Sequence, residues 1–146
     1  RPATPILYAP EEEFPIGGSK VVKKSEQDAA TVIAAGITVH EALRAAELLE
    51  KEGIRIRVID AYSVKPLDAE TIVKSARETG GRVVVVEDHF EQGGLGTAVA
   101  LILPEKKLWK HLCIRDIPRS GRPEELMAKY GIDAGAIAAA VKSLLT

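Results

Sequence analysis

One stretch of the chain, residues 82–96, constrains the fold more than any other. It reads RVVVVEDHFEQGGLG. The four valines at 83–86 predict a strand buried on both faces of a parallel sheet, because such strands are continuously apolar and β-branched. The polar residues Glu87, Asp88 and His89 follow directly, so we expect them at the carboxyl end of this strand. That is the edge at which open α/β sheets bind ligands.

The rest of the chain alternates between apolar runs typical of strands and segments typical of helices. This alternation predicts an α/β fold with three layers, αβα, in which a mostly parallel sheet of about five strands carries helices on both faces. The predicted strands are 20–24, 31–35, 54–60, 83–86 and 108–117, and the predicted helices begin near Thr38, Asp68, Thr97, Pro123 and Asp133.

The first residues differ in composition from the remainder. Residues 1–19 are rich in proline, glycine and acidic side chains, which predicts a linker from a missing preceding domain, with one short strand at 6–8. Residues 20–146 are long enough for a single domain with its own core. Because the sequence starts with Arg1 and not with methionine, we interpret it as part of a longer polypeptide.

Charge and composition argue against several classes of function. A net charge of −1 and an aromatic content of 4% argue against binding to nucleic acid or to an anionic membrane. No apolar run approaches the ~20 residues of a membrane span, and no leader precedes the chain, so a cytoplasmic location is expected. The single cysteine, Cys113, excludes an internal disulfide and a multi-cysteine metal cluster, and is predicted to be a small core residue.

The glycines Gly93, Gly94 and Gly96 match neither the dinucleotide-binding fingerprint nor a P-loop. A glycine turn that leads into a helix can bind an anion through backbone N–H groups. The alternative, which we prefer, is that the glycines allow the start of a helix to pack closely on the sheet or on a neighbouring subunit.

The polar triplet before these glycines also has two interpretations. Glu87, Asp88 and His89 contain groups that can hold a metal or transfer protons. Adjacent residues of an extended segment point in opposite directions, however, and His40 and His111 lie at spacings that do not suggest ligands. We therefore prefer an interface role for the triplet and predict no metal site.

An arginine-rich turn, with Arg119 and Arg122, can bind a phosphate or can pair with carboxylates across an interface. No nucleophile elbow accompanies it. From the residues alone, the chain is an α/β domain in which we predict no catalytic residues of its own.

The chain resembles the C-terminal domain of transketolases over nearly its whole length. The agreement lies in the order and spacing of several segments. They are FPIGGSKVVKK at 14–24, TVIAAGITVHEALRAAELL at 31–49, IRIRVIDAYSVKPLD at 54–68, VVVVEDHFEQGGLGTAV at 83–99 and IPRSGRPEELMAKYGID at 117–133. The β subunits of 2-oxoacid dehydrogenases share this domain type, but the PRSGRPEEL segment is similar to transketolases in particular.

This resemblance implies a function for the whole enzyme. Transketolases move a two-carbon ketol unit from a ketose phosphate to an aldose phosphate in the pentose phosphate pathway, with thiamine diphosphate and a divalent metal (Mg or Ca). The N-terminal and middle domains hold the cofactor, and the C-terminal domain supports the homodimer. The resemblance thus implies that this segment alone binds no cofactor and is inactive.

One residue of the segment is implied to meet the substrate. Arg1, followed by Pro2, matches the transketolase arginine that helps to hold the substrate phosphate, a role suited to a permanently charged guanidinium. Two alternatives stay open. The first alternative to a transketolase domain is a non-catalytic assembly or anion-binding regulatory module. The second is the matching domain of a 2-oxoacid dehydrogenase β subunit.

Overall fold

The structure, a computed structural model, describes residues 4–103 and 108–146. Strands and helices alternate along most of the chain, as the sequence predicts. The strands are β1 (Lys20–Lys23), β2 (Ala30–Ala34), β3 (Ile56–Asp60), β4 (Val83–Phe90) and β5 (Trp109–Ile114), and the helices are α1 (Ile37–Lys51), α2 (Ala69–Glu78), α3 (Leu95–Ile102), α4 (Pro123–Lys129) and α5 (Ala134–Leu145).

The five strands form one sheet in the order β1-β3-β2-β4-β5. Strand β1 is antiparallel to β3, whereas β3, β2, β4 and β5 are parallel to their neighbours. In the centre, Val32 of β2 pairs with Val58 of β3 and with Val84 of β4. The prediction of a mostly parallel five-stranded sheet is confirmed.

Helices cover both faces of this sheet. Strand β4 shows why, because Val84 and Val86 pack in the cluster that contains α1 and α5, while Val83 and Val85 pack in the cluster that contains α2 and α3. All four valines are at most 1% exposed. Alternating side chains of one strand therefore supply two separate cores, which is what a continuous valine run predicts.

Two strands end more than two residues away from their predicted limits. Strand β4 continues to Phe90, with an irregularity between Val86 and Phe90, so its last residues still pair with β5. Strand β5 ends at Ile114, before the predicted limit at residue 117, because Arg115 and Asp116 are exposed and polar. No helix in the described parts of the chain is long and apolar enough to cross a membrane.

Most helix starts follow the predicted capping residues. The carboxylate of Asp68 accepts a hydrogen bond from the Thr71 N–H at 3.1 Å, and that of Asp133 accepts from the Ala136 N–H at 2.9 Å. The prediction for Thr38 is wrong, since Gly36 is the N-cap of α1. The Thr38 hydroxyl instead has two carbonyl acceptors, Ala35 at 2.9 Å and Val86 at 3.0 Å, and the second of these contacts links α1 to β4.

A carboxylate from another helix completes the start of α5. Glu41 lies in α1 and is 4% exposed, although the sequence pattern places it off the apolar face. Its Oε2 accepts a hydrogen bond from the Ala134 N–H at 2.9 Å, and its other oxygen pairs with Arg44. The negative charge therefore compensates the positive end of the α5 dipole.

The segment before β1 has no strand at 6–8, so that prediction is wrong. Prolines at positions 5 and 10 flank it and cannot donate to a ladder. Side chains attach it instead. The Tyr8 hydroxyl donates to Asp60 Oδ2 at 2.6 Å, and the Phe14 ring packs edge-on against the rings of Tyr8 and Tyr62. The boundary between linker and domain at residue 19 remains a prediction.

Candidate functional site

The carboxyl edge of the parallel strands contains two buried carboxylates. Asp60 ends β3 and is 6% exposed, and Glu87 lies in β4 beyond the valines and is 4% exposed. An unpaired buried charge is costly, so the partners of each carboxylate indicate its role.

Glu87 is fully engaged by the protein. Its Oε2 accepts a hydrogen bond from the Leu95 N–H at 2.7 Å, and its Oε1 accepts from the Gly96 N–H at 2.8 Å. The Nε2 atom of His111, from β5, lies 2.7 Å from Oε1. Glu87 therefore occupies the N-terminus of α3, where an external anion would otherwise bind, and such an anion would have to displace it.

Two of the predicted glycines make this arrangement possible. A Cβ atom on Gly94 would lie 2.0 Å from Glu87 Oε2, and a Cβ atom on Gly96 would lie 2.1 Å from His111 Nε2. Gly93 differs, because it has open space around it but a φ of 78°, which favours glycine. The close approach of Glu87 and His111 to the start of α3 thus requires residues without side chains at 94 and 96.

A cavity of about 780 Å³ opens at the same edge, on the side of Asp60. The segment before β1 forms one wall, and α4 with the loop before it forms another. The lining is mostly apolar with a few titratable groups, as is usual for ligand pockets of this size. The lining residues are Thr4, Pro5, Leu7, Tyr8, Gly36, Ile37, Val39, His40, Asp60, Asp88, His89, Phe90, Ile114, Pro118, Arg119, Pro123, Leu126, Met127, Tyr130 and Ile132.

Asp60 is less completely paired than Glu87. Tyr8 is bonded to its Oδ2, but its buried Oδ1 has no hydrogen-bond partner among the described residues. Burial raises the pKa of the Asp60 carboxyl, and the Tyr8 hydrogen bond and the nearby His40 oppose this rise. Burial and the Asp60 carboxylate raise the pKa of Tyr8 in turn, so its hydroxyl remains a donor.

The structure divides the predicted site residues into separate groups. Asp88, His89 and Arg119 line the cavity, and the His89 side chain is 53% exposed with its Nδ1 2.9 Å from the Phe90 carbonyl. Arg122 is exposed at the N-cap of α4 and is not part of the lining. The prediction for Arg1 lies outside the described residues.

Sequence reasoning missed several residues of this edge. Asp60 ends a predicted strand, so the rule that parallel strands share a carboxyl edge was sufficient to place it beside the others. The positions of Tyr8 and His111 could not be predicted by this rule. Their contacts depend on a long-range docking of the N-terminal segment and on the pairing of β5 with β4.

Comparisons with known proteins agree on one family. Residues 19–137 match the family model described as "Transketolase, C-terminal domain". Human transketolase is 51% identical over 148 aligned residues that cover 100% of this chain and 24% of the human protein. Mouse transketolase-like protein 2 is 49% identical over 97% of this chain and 23% of its own length.

Solved structures agree in fold. A split-gene transketolase, described as an inactive beta4 tetramer, superposes with a TM-score of 0.87 and 40% identity over 97% of this chain and 46% of that one. Transketolase from Campylobacter jejuni is 19% identical with a TM-score of 0.68, over 94% of this chain and 20% of its own, which supports the fold alone.

The chain spans about a quarter of the length of the curated relatives that it matches. The residues that match the family model, 19–137, include the β4–α3 edge. The chain therefore belongs to the transketolase family, as its C-terminal domain.

Proposed function

We propose that this chain completes a transketolase that transfers a two-carbon ketol unit between sugar phosphates, and that its own role is to support the fold and the dimer. The observation that carries the proposal is the 51% identity to human transketolase across the whole chain. The split-gene neighbour is described as an inactive assembly, which supports an accessory role for a segment that lacks the remaining domains.

The cofactor is proposed to bind to the other domains. Thiamine diphosphate, which supplies the carbanion chemistry, needs a diphosphate site and a hard divalent metal with oxygen ligands. In the part of the chain that the structure describes, the residues do not fit that requirement. The N–H groups of Leu95 and Gly96 are bonded to Glu87. The side chains that lie close enough together to hold a metal, Glu91, His111 and Cys113, are a carboxylate, an imidazole and a thiol, which is not a set of oxygen ligands.

The substrate phosphate and the second subunit complete the proposal. We propose that Arg1 contacts the phosphate in the whole enzyme, because its charge is permanent and its donors match phosphate oxygens. The missing N-terminal and middle domains and a second copy of the subunit are the proposed partners, and a cytoplasmic location is consistent with them.

A second candidate function is favoured by the cavity. Its volume of about 780 Å³ and the presence of Arg119 in its lining suit a regulatory site for a small anionic molecule. Anion binding by the glycine turn, the interpretation that we did not prefer, is less favoured still, because Glu87 already accepts hydrogen bonds from the N–H groups of Leu95 and Gly96.

Calorimetric titration tests whether the cofactor binds to the other domains and not to this chain. We expect no heat of binding when thiamine diphosphate and Mg²⁺ are added to the 146-residue chain, and saturable binding when the remaining transketolase domains are present. A parallel titration of the chain with ribose 5-phosphate examines the regulatory alternative, and an Arg119→Ala variant is its control.

Two results would contradict the proposal. Tight binding of thiamine diphosphate to the isolated chain would place the cofactor site within it. Full ketol transfer by the other domains without this chain would remove its role in the enzyme.

A further inference from the structure

A second group of potential ligands lies outside the cavity, near the Glu87 carboxylate. Glu91 follows β4, and His111 and Cys113 lie two residues apart on β5, so their side chains share one face of the strand. One ligand atom from each of the three residues lies within 4.8 Å of the others. The spacing of residues in the sequence does not indicate this group, because its members come from two separate segments of the chain.

The hydrogen bond to Glu87 determines which nitrogen of His111 can bind a ligand. An ionised carboxylate can only accept hydrogen bonds, so His111 Nε2, which lies 2.7 Å from Glu87 Oε1, is the donor and carries the ring proton. Nδ1 then carries the lone pair. A carboxylate that orients a ligating histidine in this way is the usual outer partner in protein metal sites.

The other ring nitrogen of His111, Nδ1, lacks a hydrogen-bond partner among the described residues. The His111 side chain is only 10% exposed. Nδ1 is therefore the ring nitrogen that is left to bind a metal, in a residue grouped with a thiol and a carboxylate.

We propose that Glu91, His111 and Cys113 bind a borderline-soft divalent cation, and that Zn²⁺ is the best match. Thiolate, imidazole and carboxylate are the three ligand types that Zn²⁺ takes in proteins, and three protein ligands leave one position for water. A thiol and an imidazole are poor ligands for Mg²⁺ and Ca²⁺, so this site is different in kind from the hard metal of the proposed cofactor.

Two features oppose metal binding and set its expected strength. The Arg115 guanidinium lies 3.0 Å from Glu91 Oε1, which leaves Oε2 for the metal. Burial raises the pKa of the Cys113 thiol, and the carboxylates of Glu91 and Glu87 raise it further against the effect of Arg115. The thiol is therefore protonated without metal, and formation of the metal–sulfur bond releases that proton to solvent.

Cobalt(II) is a suitable probe, because its spectrum distinguishes thiolate ligation from adventitious binding. We expect one equivalent of Co²⁺, added to the reduced 146-residue chain, to produce a near-ultraviolet sulfur-to-cobalt charge-transfer band. Zn²⁺ should displace the cobalt and abolish the band, whereas a large excess of Mg²⁺ should not. No charge-transfer band at one equivalent would overturn the proposal.

Variants then identify the ligands. Cys113→Ser should remove the band and weaken Zn²⁺ binding by about a hundredfold or more, and Glu91→Gln should weaken it about tenfold. Glu91 is exposed, so its variant should fold normally. The matched control is Glu125→Gln, an exposed glutamate on α4 that is not in the group. Zn²⁺ affinities that are unchanged in both test variants would also overturn the proposal.

Discussion

Glu87 and Asp60 occupy equivalent places in the fold and have opposite environments. Each is a carboxylate at the carboxyl edge of the sheet, and each is almost fully buried. Glu87 has three hydrogen-bond donors, and a Cβ atom on Gly94 would lie 2.0 Å from its carboxylate. Asp60 has one donor, one oxygen without a partner among the described residues, and a large cavity beside it.

The difference shows that Glu87 stabilises the fold, whereas burial of the Asp60 carboxylate costs free energy of folding. Three donors compensate the desolvation of Glu87, so its charge can hold the start of α3 in place. One donor does not compensate Asp60, and burial consequently raises its pKa. Acidic residues at a sheet edge are therefore not equivalent candidates for function, and the number of donors to each carboxylate distinguishes them.

Removal of the Glu87 carboxylate should cause the largest loss of stability. Glu87→Ala leaves two buried N–H groups and His111 Nε2 without an acceptor, so we expect a loss of about 3–5 kcal/mol in the free energy of unfolding. Urea denaturation measures it. Asp88→Ala is the neighbouring control, because Asp88 is exposed, and it should change stability by about 0.5 kcal/mol or less. A loss below about 1 kcal/mol for Glu87→Ala would remove the distinction between the two carboxylates.

Substitution of the glycine at position 96 should reduce the stability of the protein by an intermediate amount. In Gly96→Ala the new methyl group meets the His111 ring, which Glu87 prevents from moving, so we expect a loss of about 2 kcal/mol. Gly135→Ala is a matched control, since Gly135 is also the second residue of its helix. Its Cβ would lie 3.7 Å from the nearest atom.

At position 135 the substitution should instead stabilise the protein by about 0.5 kcal/mol, because alanine favours a helix over glycine. Both variants can be compared in one series of thermal unfolding curves. Equal effects at positions 96 and 135 would show that the close packing at α3 is not energetically important.

Neutralisation of Asp60 should have the smallest effect and a characteristic pH dependence. We expect Asp60→Asn to be as stable as the parent, or about 0.5–1 kcal/mol more stable, at about pH 8, because it removes an incompletely paired buried charge. As the pH falls through the raised folded pKa of Asp60, the folded parent binds a proton that the unfolded chain does not yet bind. The parent then gains stability and the advantage of the variant disappears.

Asp68→Asn provides the opposite case. Burial alone would raise the pKa of Asp68, but hydrogen bonds from the Ser19 hydroxyl and the Thr71 N–H outweigh it and lower the pKa. This variant should be less stable than its parent at about pH 8, and its deficit should shrink as the pH falls through the lowered folded pKa. Unfolding free energies measured from about pH 8 to about pH 3 test both variants. The same sign for both would contradict the difference in their environments.

Sequence periodicity predicted the five strands of the sheet, the helices between them and the α/β fold, although it also predicted a strand at 6–8 that does not form. The valine run of β4, the capping residues Asp68 and Asp133, and the proline at the start of α4 are local signals, and each has the predicted position. The Thr38 prediction failed because Gly36 is the N-cap, and two carbonyls compete for the Thr38 hydroxyl, Ala35 at 2.9 Å and Val86, 48 residues away in the sequence, at 3.0 Å. A local rule cannot anticipate such competition.

The candidate sites were less predictable than the fold, for a related reason. The sequence placed Glu87 and the glycines together, but it did not reveal that the N–H groups after the glycines already have an internal acceptor. The group of Glu91, His111 and Cys113 depends on the register of β5 against β4. Its discovery required the three-dimensional arrangement, since no spacing of ligands within one segment indicates it.

The hydrogen bond between Glu41 and the Ala134 N–H has a consequence for the order in which the chain folds. It joins residues 93 positions apart. A helix of 12 residues is marginal by itself in water, so α5 gains its stability from packing against α1 and also against β4 and β5. The closure of so long a loop precedes that gain, which makes the contact a late and slow event in folding. The backbone amides of α5 should consequently exchange with solvent as one cooperative unit, at a rate controlled by the detachment of the helix from α1.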